Sequence, residues 1–532
     1  MVKTLIISIL CIAFMQVSAT PSTSVKDGGE PKLKRKQKTM LTEARILLKL
    51  EDYYNAKTRW DQLLELFPDY HEFQYGVGVC LINTRGDEKK SFSYLEKGLS
   101  AENMNSYYWY GRSMHLQHHF DKAVESYMAY KNKPTELIQA QEADRQIAKS
   151  RMAARLIDQP RKVEVLNLGT SINTNYQESV PLITSDESVI YFTSRRANGT
   201  SSDKDPTGQY YQDIYYSEKT SDGWTAPQNM GSVINSNTHD ATVGLSSNGN
   251  VMITYRTNPN VVGGDLYITE NSEGIWSDPK KLGKNINTEY QEPSASISSD
   301  EQTMYFSSTR PGGYGGMDIY KVIKLPNGSW SLPQNLGPEI NTVYDEDAPF
   351  ISVDSKTIYF SSKGHPGIGG FDVFKSKILK DGSFSTPENL GFPINSVEHD
   401  IYFTINADER VAYYSSDMDG GYGDQDIYRI IFKDKPEDLV VVSGYVYDLE
   451  GIPLKAKLTV LEMHPERVNG VYRSTSGSGK FITLLYPGES FQVIVESEGY
   501  LPIIQYVDLS GTTTKGEAEK LAGELLFELK RK

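Results

Sequence analysis

Five stretches of the chain open alike: "NLGTSINTNYQE" from Asn167, "NMGSVINSNTHD" from Asn229, "KLGKNINTEYQE" from Lys281, "NLGPEINTVYDE" from Asn335 and "NLGFPINSVEHD" from Asn389. They recur at intervals of about 53 residues, a period that marks a repeated supersecondary unit. Each opening leads to an alternating strand such as "TMYFSS" at 303–308 or "TIYFSS" at 357–362. A glycine-rich turn follows, then a second strand such as "DIYKV" at 318–322. Alternation with period two, punctuated by turn residues, indicates short antiparallel strands. Four strands in a unit of this length is the make-up of a propeller blade, so residues 159–435 are expected to form a five-bladed β-propeller.

The ends of the repeat bear on closure. Four copies finish with an aromatic residue, a proline and a short strand: "GWTAPQNMG", "GIWSDPKKLG", "GSWSLPQNLG" and "GSFSTPENLG". After "DIYRIIFKDKPED" the fifth copy has no such strand, whereas "RKVEVLNLG" at 161–169 precedes the first copy and is spare. The simplest resolution is a ring in which residues 163–168 complete the blade whose other strands lie at 400–432. Closure removes the unpaired edges an open array would expose.

On either side the pattern changes. Residues 40 to about 134 carry helical periodicity broken at intervals near the 34 residues of a tetratricopeptide unit, and a further helix is expected near 135–157, so that 40–158 is read as one helical domain. Ala44, Leu47, Ala56, Trp60, Leu63 and Pro68 fall at the packing positions of that repeat. Tyr107, Tyr110, Gly111, Ala123, Tyr127 and Pro134 repeat the scheme, and a middle unit around Gly76 and Val79 fits with an insertion near Gly86. Stacked helix pairs bury stripes that neither helix can bury alone and leave a concave face. For Tyr107, Tyr108, Trp109 and Tyr110, helix packing and ligand contact are both open. From about 439, "VVVSGYVYDLEGIPLKAKLTVLE" and "SGSGKFITLLYPGESFQVIVESEGYLP" alternate as a small β-sandwich, with "ELLFELKRK" as its last strand before Lys532. The expected whole is a multidomain α + β chain of tetratricopeptide helices, five-bladed propeller and C-terminal β-sandwich.

The first 19 residues read as a signal peptide, with Lys3 before an apolar run and Val17-Ser18-Ala19 as a small-residue cleavage site. Export to the periplasm or the periphery of an outer membrane is expected. No later stretch approaches the 18 or so apolar residues of a membrane span. Ser8-Ile9-Leu10 before Cys11 lack the small residues of a lipoprotein signal, and without that segment Cys80 is the one cysteine left, so no disulfide framework is expected. The formal net charge is −14, from 69 acidic and 55 basic residues, which excludes the clustered-cation signature of a nucleic-acid binder. Lys32, Lys34, Arg35, Lys36 and Lys38 form one basic cluster in the segment 20–39, readable as a solvated linker or as a tether to an anionic surface.

Two acidic series run through the repeat. Asp213, Asp265, Asp318, Asp372 and Asp426 each precede an apolar-aromatic pair, and an acid that every blade carries is read as structural, accepting backbone N–H bonds where the chain reverses. Glu178, Asp240, Glu292, Glu346 and Asp400 each follow an "I-N" asparagine by five residues. They are readable either as further turn bonding or as a carboxylate ring at the channel mouth, able to take a hard cation or a cationic peptide end. Near-equivalent acids argue against the unequal pair that a glycosidase needs. The sequence has no H-E-x-x-H, no G-x-S-x-G and no P-loop. No catalytic residue, metal site or cofactor is therefore assigned. The insertion "RANGTSSDKDPTGQYYQ" at 196–212 offers Tyr210, Tyr211 and Gln212 as loop contacts.

The Y-F-S-S, glycine-turn and D-I-Y pattern resembles the WD-repeat-like blades of TolB-like propellers, and the C-terminal segment resembles the carboxypeptidase regulatory-like domain, which implies a prealbumin-like β-sandwich. The order of signal, tetratricopeptide units, TolB-like propeller and regulatory-like sandwich is similar to a group of Bacteroidota envelope proteins, some linked to type IX secretion and gliding. That resemblance implies a non-enzymatic scaffold that brings envelope or secretion-system proteins together, with a lectin-like glycan- or peptide-binding propeller as the alternative and a glycosidase as the least favoured reading. In several relatives an OmpA-like domain grips peptidoglycan. None is read after the sandwich, so direct cell-wall anchoring is not expected.

Overall fold

The computed structural model describes residues 31–532 apart from 85–89, 133–136, 206–207, 260–262, 273, 434–439 and 464–465. Residues 1–19, expected to be a signal peptide, and with them Cys11, as well as Gly86 and Pro134, lie outside the described residues. Eight helices are described: α1 Arg35–Lys49, α2 Tyr53–Leu66, α3 His71–Ile82, α4 Ser91–Lys97, α5 Asn105–Leu116, α6 Phe120–Lys131, α7 Leu137–Asp158 and α8 Lys515–Ala522. No described helix is long and apolar enough to cross a membrane.

Two compact units divide after Ser113. In the first, Ala44, Ala56, Trp60, Leu63, Phe73, Val77 and Cys80 form one core as α1, α2 and α3 pack in succession. Gly76 is there because α2 passes too close for a side chain: a Cβ would stand 2.3 Å from the Trp60 ring. Burial pushes the Cys80 thiol up to about 12, so it remains an inert core group at neutral pH.

The second unit begins inside α5 and takes in α6 and α7. A boundary at residue 158, expected from the change in periodicity, therefore does not divide the compact units. Within that unit α6 packs on α7, and His115, Arg145 and Lys149 bond to the sheets.

Five antiparallel sheets follow. The first has inner strand Glu178–Ile183, then Val189–Ser194 and Asp213–Thr220, with Gly223–Trp224 and Gln228–Asn229 on its outer edge. The second runs Asp240–Leu245, Val251–Thr257, Gly264–Ser272, with Ile275–Trp276 and Lys280–Lys281 outside. The third is Ala295–Ile297, Thr303–Ser308, Asp318–Ile323 and Gln334–Asn335, and the fourth Glu346–Ile351, Thr357–Ser362, Asp372–Lys377 and Glu388–Asn389. In the fifth, Asp400–Ile405, Val411–Ser416 and Asp426–Phe432 are completed by Val163–Asn167, which pairs antiparallel with Asp426–Phe432 from Val163↔Phe432 to Asn167↔Tyr428.

Each inner strand neighbours the inner strand of the next sheet, and that of the fifth neighbours that of the first. The arrangement is propeller-like. Four inner strands carry a register shift, after Ser179, Thr242, Asp347 and Ile401, and in three of them a non-glycine residue beside the shift lies in the left-handed region: Val180 at φ 52°, Ala348 at 51° and Tyr402 at 61°. These residues line the narrow cavity at the axis with Pro181, Gly244, Ser294 and Pro349.

The C-terminal strands form a three-stranded sheet (Lys480–Leu485, Val440–Asp448, Leu525–Leu529) and a four-stranded one (Glu466–Arg473, Lys457–Met463, Ser490–Glu496, Ile503–Asp508). Their facing sides bury Val442, Leu458, Val460, Tyr472, Phe481, Phe491 and Phe527 in one core, which also includes Val353 and Ala407 from turns of the fourth and fifth sheets. Lys480 reaches Asp186 at 3.3 Å, Asn248 the Arg473 carbonyl at 3.4 Å, Lys455 Glu301 at 3.1 Å and Lys515 Asp408 at 2.8 Å. The C-terminal domain thus rests on the turn after the inner strand of all five sheets.

Candidate functional site

The opposite ends of those sheets hold both acidic series. In the third, fourth and fifth sheets the glycine turn between the second and third strands brings the D-I-Y aspartate back beneath its own backbone. Asp318 accepts from the Tyr314 N–H at 2.6 Å and the Gly315 N–H at 3.0 Å, and Asp426 from Tyr422 at 2.7 Å and Gly423 at 3.2 Å. Asp213 takes the Thr200 N–H, and Lys281 holds Asp265 at 2.7 Å.

Sequence reasoning missed the partners of these acids. The first asparagine of the repeat donates its amide to the aspartate: Asn229 to Asp213 at 2.9 Å, Asn335 to Asp318 at 2.7 Å and Asn167 to Asp426 at 2.7 Å. The "I-N" asparagine clamps the residue after each aspartate. Asn341 accepts the Ile319 N–H at 2.8 Å and donates to the Ile319 carbonyl at 3.0 Å, and Asn173, Asn235, Asn287 and Asn395 repeat this on Ile427, Ile214, Leu266 and Val373. The fixed spacing of these asparagines from the acids was the available signal.

Glu178, Asp240, Glu292, Glu346 and Asp400 have no accessible surface. Each closes the turn before its own strand. Thr342 gives Glu346 its N–H at 2.6 Å and its hydroxyl at 2.8 Å, and Ser362 adds a third bond at 2.6 Å. Thr174, Ser236, Thr288 and Ser396 do the same for the other four. A ring of carboxylates open at the channel mouth is therefore not what these residues form, because their lone pairs point into the turns. Arg196 at 3.4 Å, Arg256 at 2.6 Å and Arg310 at 3.3 Å lie against Glu178, Asp240 and Glu292. Burial pushes Asp240 and Glu346 up and Asp400 well above the usual carboxylate range.

The insertion in the first sheet is pinned by its own residues. Asp205 accepts from Arg195 at 2.8 Å, whose guanidinium also donates to the Tyr210 carbonyl. Tyr210 packs edge-on against Tyr176 at 5.8 Å, Tyr211 against His239 at 4.9 Å, and the Gln212 N–H donates to His239 Nδ1 at 3.2 Å. All three predicted contact residues are half-buried in this cluster. Burial lowers His239 to about 4, with the Arg195 charge as the second cause, so its imidazole is neutral at pH 7.

The fourth sheet departs from the others. Asn389 does not reach Asp372, pointing instead to the Pro366 carbonyl at 3.4 Å. The turn before Asp372 lies under α7 and the end of α5. His115 donates from Nε2 to the Ile368 carbonyl at 2.7 Å and accepts at Nδ1 from Ser150 at 2.8 Å. Lys149 donates to the Gly369 carbonyl, and Arg145 donates to the Lys363 carbonyl at 3.0 Å while its guanidinium lies 4.5 Å over Tyr344. Glu142 grips that guanidinium through two bonds, at 2.7 and 2.6 Å. Burial raises Asp372 to about 6, and the Lys149 charge pulls the other way. Among the described residues no group of three His, Cys, Asp or Glu side chains is placed to hold a metal ion.

No family model matches the chain, and no curated protein matches it. Among solved structures, a putative TolB from Agrobacterium tumefaciens aligns at 15% identity over 61% of this chain and 97% of its own, with a TM-score of 0.29. An α-L-arabinofuranosidase from Lactobacillus brevis aligns at 11% identity over 54% of this chain and 94% of its own, with a TM-score of 0.34. A 3-chlorocatechol 1,2-dioxygenase from Rhodococcus opacus 1CP aligns at 15% identity over 19% and 62%, with a TM-score of 0.14. The propeller-like description rests on the strand pairing itself.

Proposed function

We propose that this chain is a non-enzymatic scaffold of the cell envelope. In this reading its five sheets are the blades of a closed propeller, its N-terminal helices are tetratricopeptide-type pairs, and its C-terminal domain is a regulatory-like sandwich. The protein is exported and gathers other envelope proteins, among them components of a type IX secretion or gliding apparatus. The observation that carries the reading is the occupied turn of the fourth sheet, where main-chain carbonyls and an aromatic ring hold a helix. A face built that way binds protein. The repeated acids support it too, since both series are engaged in turns and offer no pair of carboxylates in unequal, accessible settings for acid–base chemistry.

Crosslinking in intact cells, followed by affinity capture of the full chain and mass spectrometry, tests this. A reproducible set of exported proteins is expected. Capture of no protein, together with binding to a glycan array that free sugar reverses, would replace the scaffold with a lectin-like module.

A further inference from the structure

The contacts that seat α7 and the end of α5 use five features of the fourth sheet: the Tyr344 ring, the carbonyls of Lys363 and Gly369 for α7, the Ile368 carbonyl for His115 of α5, and the carboxylate of Asp372 behind them. The third sheet repeats all five at one constant offset. Tyr290 stands for Tyr344, Thr309, Tyr314 and Gly315 for the residues that supply the three accepting carbonyls, and Asp318 for Asp372. Backbone shape is repeated with them. A Cβ on Gly315 would meet the Tyr344 carbonyl at 2.1 Å, and one on Gly369 the Glu398 carbonyl at 2.2 Å, so each turn is pressed against the loop of the next sheet in the same way.

Burial differs. Residues 367–369 are buried and Ile368 has no accessible surface, whereas 311–316 are all exposed, with Tyr314 at 50% and Tyr290 at 39%. The fifth sheet is not an equal third copy, because Glu398 replaces the aromatic ring there.

We propose that the third-sheet turn is a second docking surface, for a helix of a partner protein that carries an arginine and a lysine four residues apart. This deepens the scaffold reading and rests on it. Such spacing places both cations on one helix face. The arginine would stack on Tyr290 and donate to the Thr309 carbonyl, and the lysine would donate to the Gly315 carbonyl as Lys149 does to Gly369. The occupant follows from charge and from the internal precedent: carbonyl oxygens and an aromatic face accept cations, and the chain's own α7 supplies Arg145 and Lys149 to the equivalent place.

The probe is a fluorescein-labelled peptide of residues 137–158, stapled into a helix on the face opposite Arg145 and Lys149, titrated into the full chain and followed by anisotropy. Saturable binding below about 1 mM is expected. Tyr290→Ala with Tyr314→Ala should weaken it by about tenfold or more, and Arg145→Glu with Lys149→Glu in the peptide should abolish it. Both tyrosines are exposed, so the double variant keeps the fold. Absence of saturable binding, or binding that the double variant leaves unchanged, overturns the site. In cells, an unchanged set of captured proteins with the same double variant also overturns it while leaving the scaffold standing.

Discussion

The third and fourth sheets carry nearly the same turn, "GGYGGMD" and "GIGGFD", and use it differently. In the third, Asp318 is held by Asn335 and the turn faces solvent. In the fourth, Asn389 has turned away, Lys149 supplies the neighbouring charge, and the turn lies under helix α7. A repeated motif can therefore fix one backbone shape in two sheets and still be recruited for binding in only one of them. What decides is the residue at the tip: buried Ile368 joins the packing beneath the helix, while Tyr314 stays outside.

The sharpest way to break that comparison is to remove the lysine. Lys149→Met leaves the Asp372 carboxylate buried without its cation and is expected to cost about 4 kcal/mol in urea unfolding, with much of the loss restored by adding Asp372→Asn. Asn335→Ala at the third sheet should cost only about 1–2 kcal/mol. The pH dependence separates them further. Asp372 titrates near 6 in the folded chain against an ordinary 3.8, so its contribution to stability is full below about 4 and falls as pH rises through 6. The Lys149→Met deficit should accordingly be larger at pH 8 than at pH 5.

Truncation of the two tip residues comes next. Ile368→Ala should cost about 3 kcal/mol through the cavity it leaves, and Tyr314→Ala should shift stability by no more than about 0.5 kcal/mol. Equal costs would mean that the two turns are equally packed. The glycines beside them should behave as a pair: Gly315→Ala and Gly369→Ala each force a methyl onto a backbone carbonyl, and each is expected to cost about 2 kcal/mol by thermal unfolding.

The smallest effect is expected at the first sheet, where an insertion takes the place of the glycine turn. His239 titrates near 4 when folded and near 6.5 when not, so stability from this group is complete above 6.5 and declines as pH falls toward 4. Amide exchange at Gln212 should speed up over that window, and His239→Phe should flatten the response.

The repeat was legible because five copies of one pattern give strand spacing, turn positions and the spare strand at 161–169 without any knowledge of contacts. That spare strand pairs with Asp426–Phe432. The direction of the acids was harder to read. Glu346 and its counterparts could face the axis or fold back on the turn, and the choice is made by Thr342-type hydroxyls four residues earlier, which look like ordinary loop residues. The attachment of α7 left no trace, since its acceptors on the turn are main-chain carbonyls common to every sequence and His115 is an isolated histidine in a helix.

The pairing of Val163–Asn167 with Asp426–Phe432 also sets a timetable. A ribosome delivers residue 163 long before residue 432, and Asn167 must wait for Asp426, 259 positions later, before their bond can form. Until then the early strand has no neighbour on that side. The ring is thus completed in one late event, and a chain cut short of residue 426 would display a bare strand at its front to any passing copy of itself.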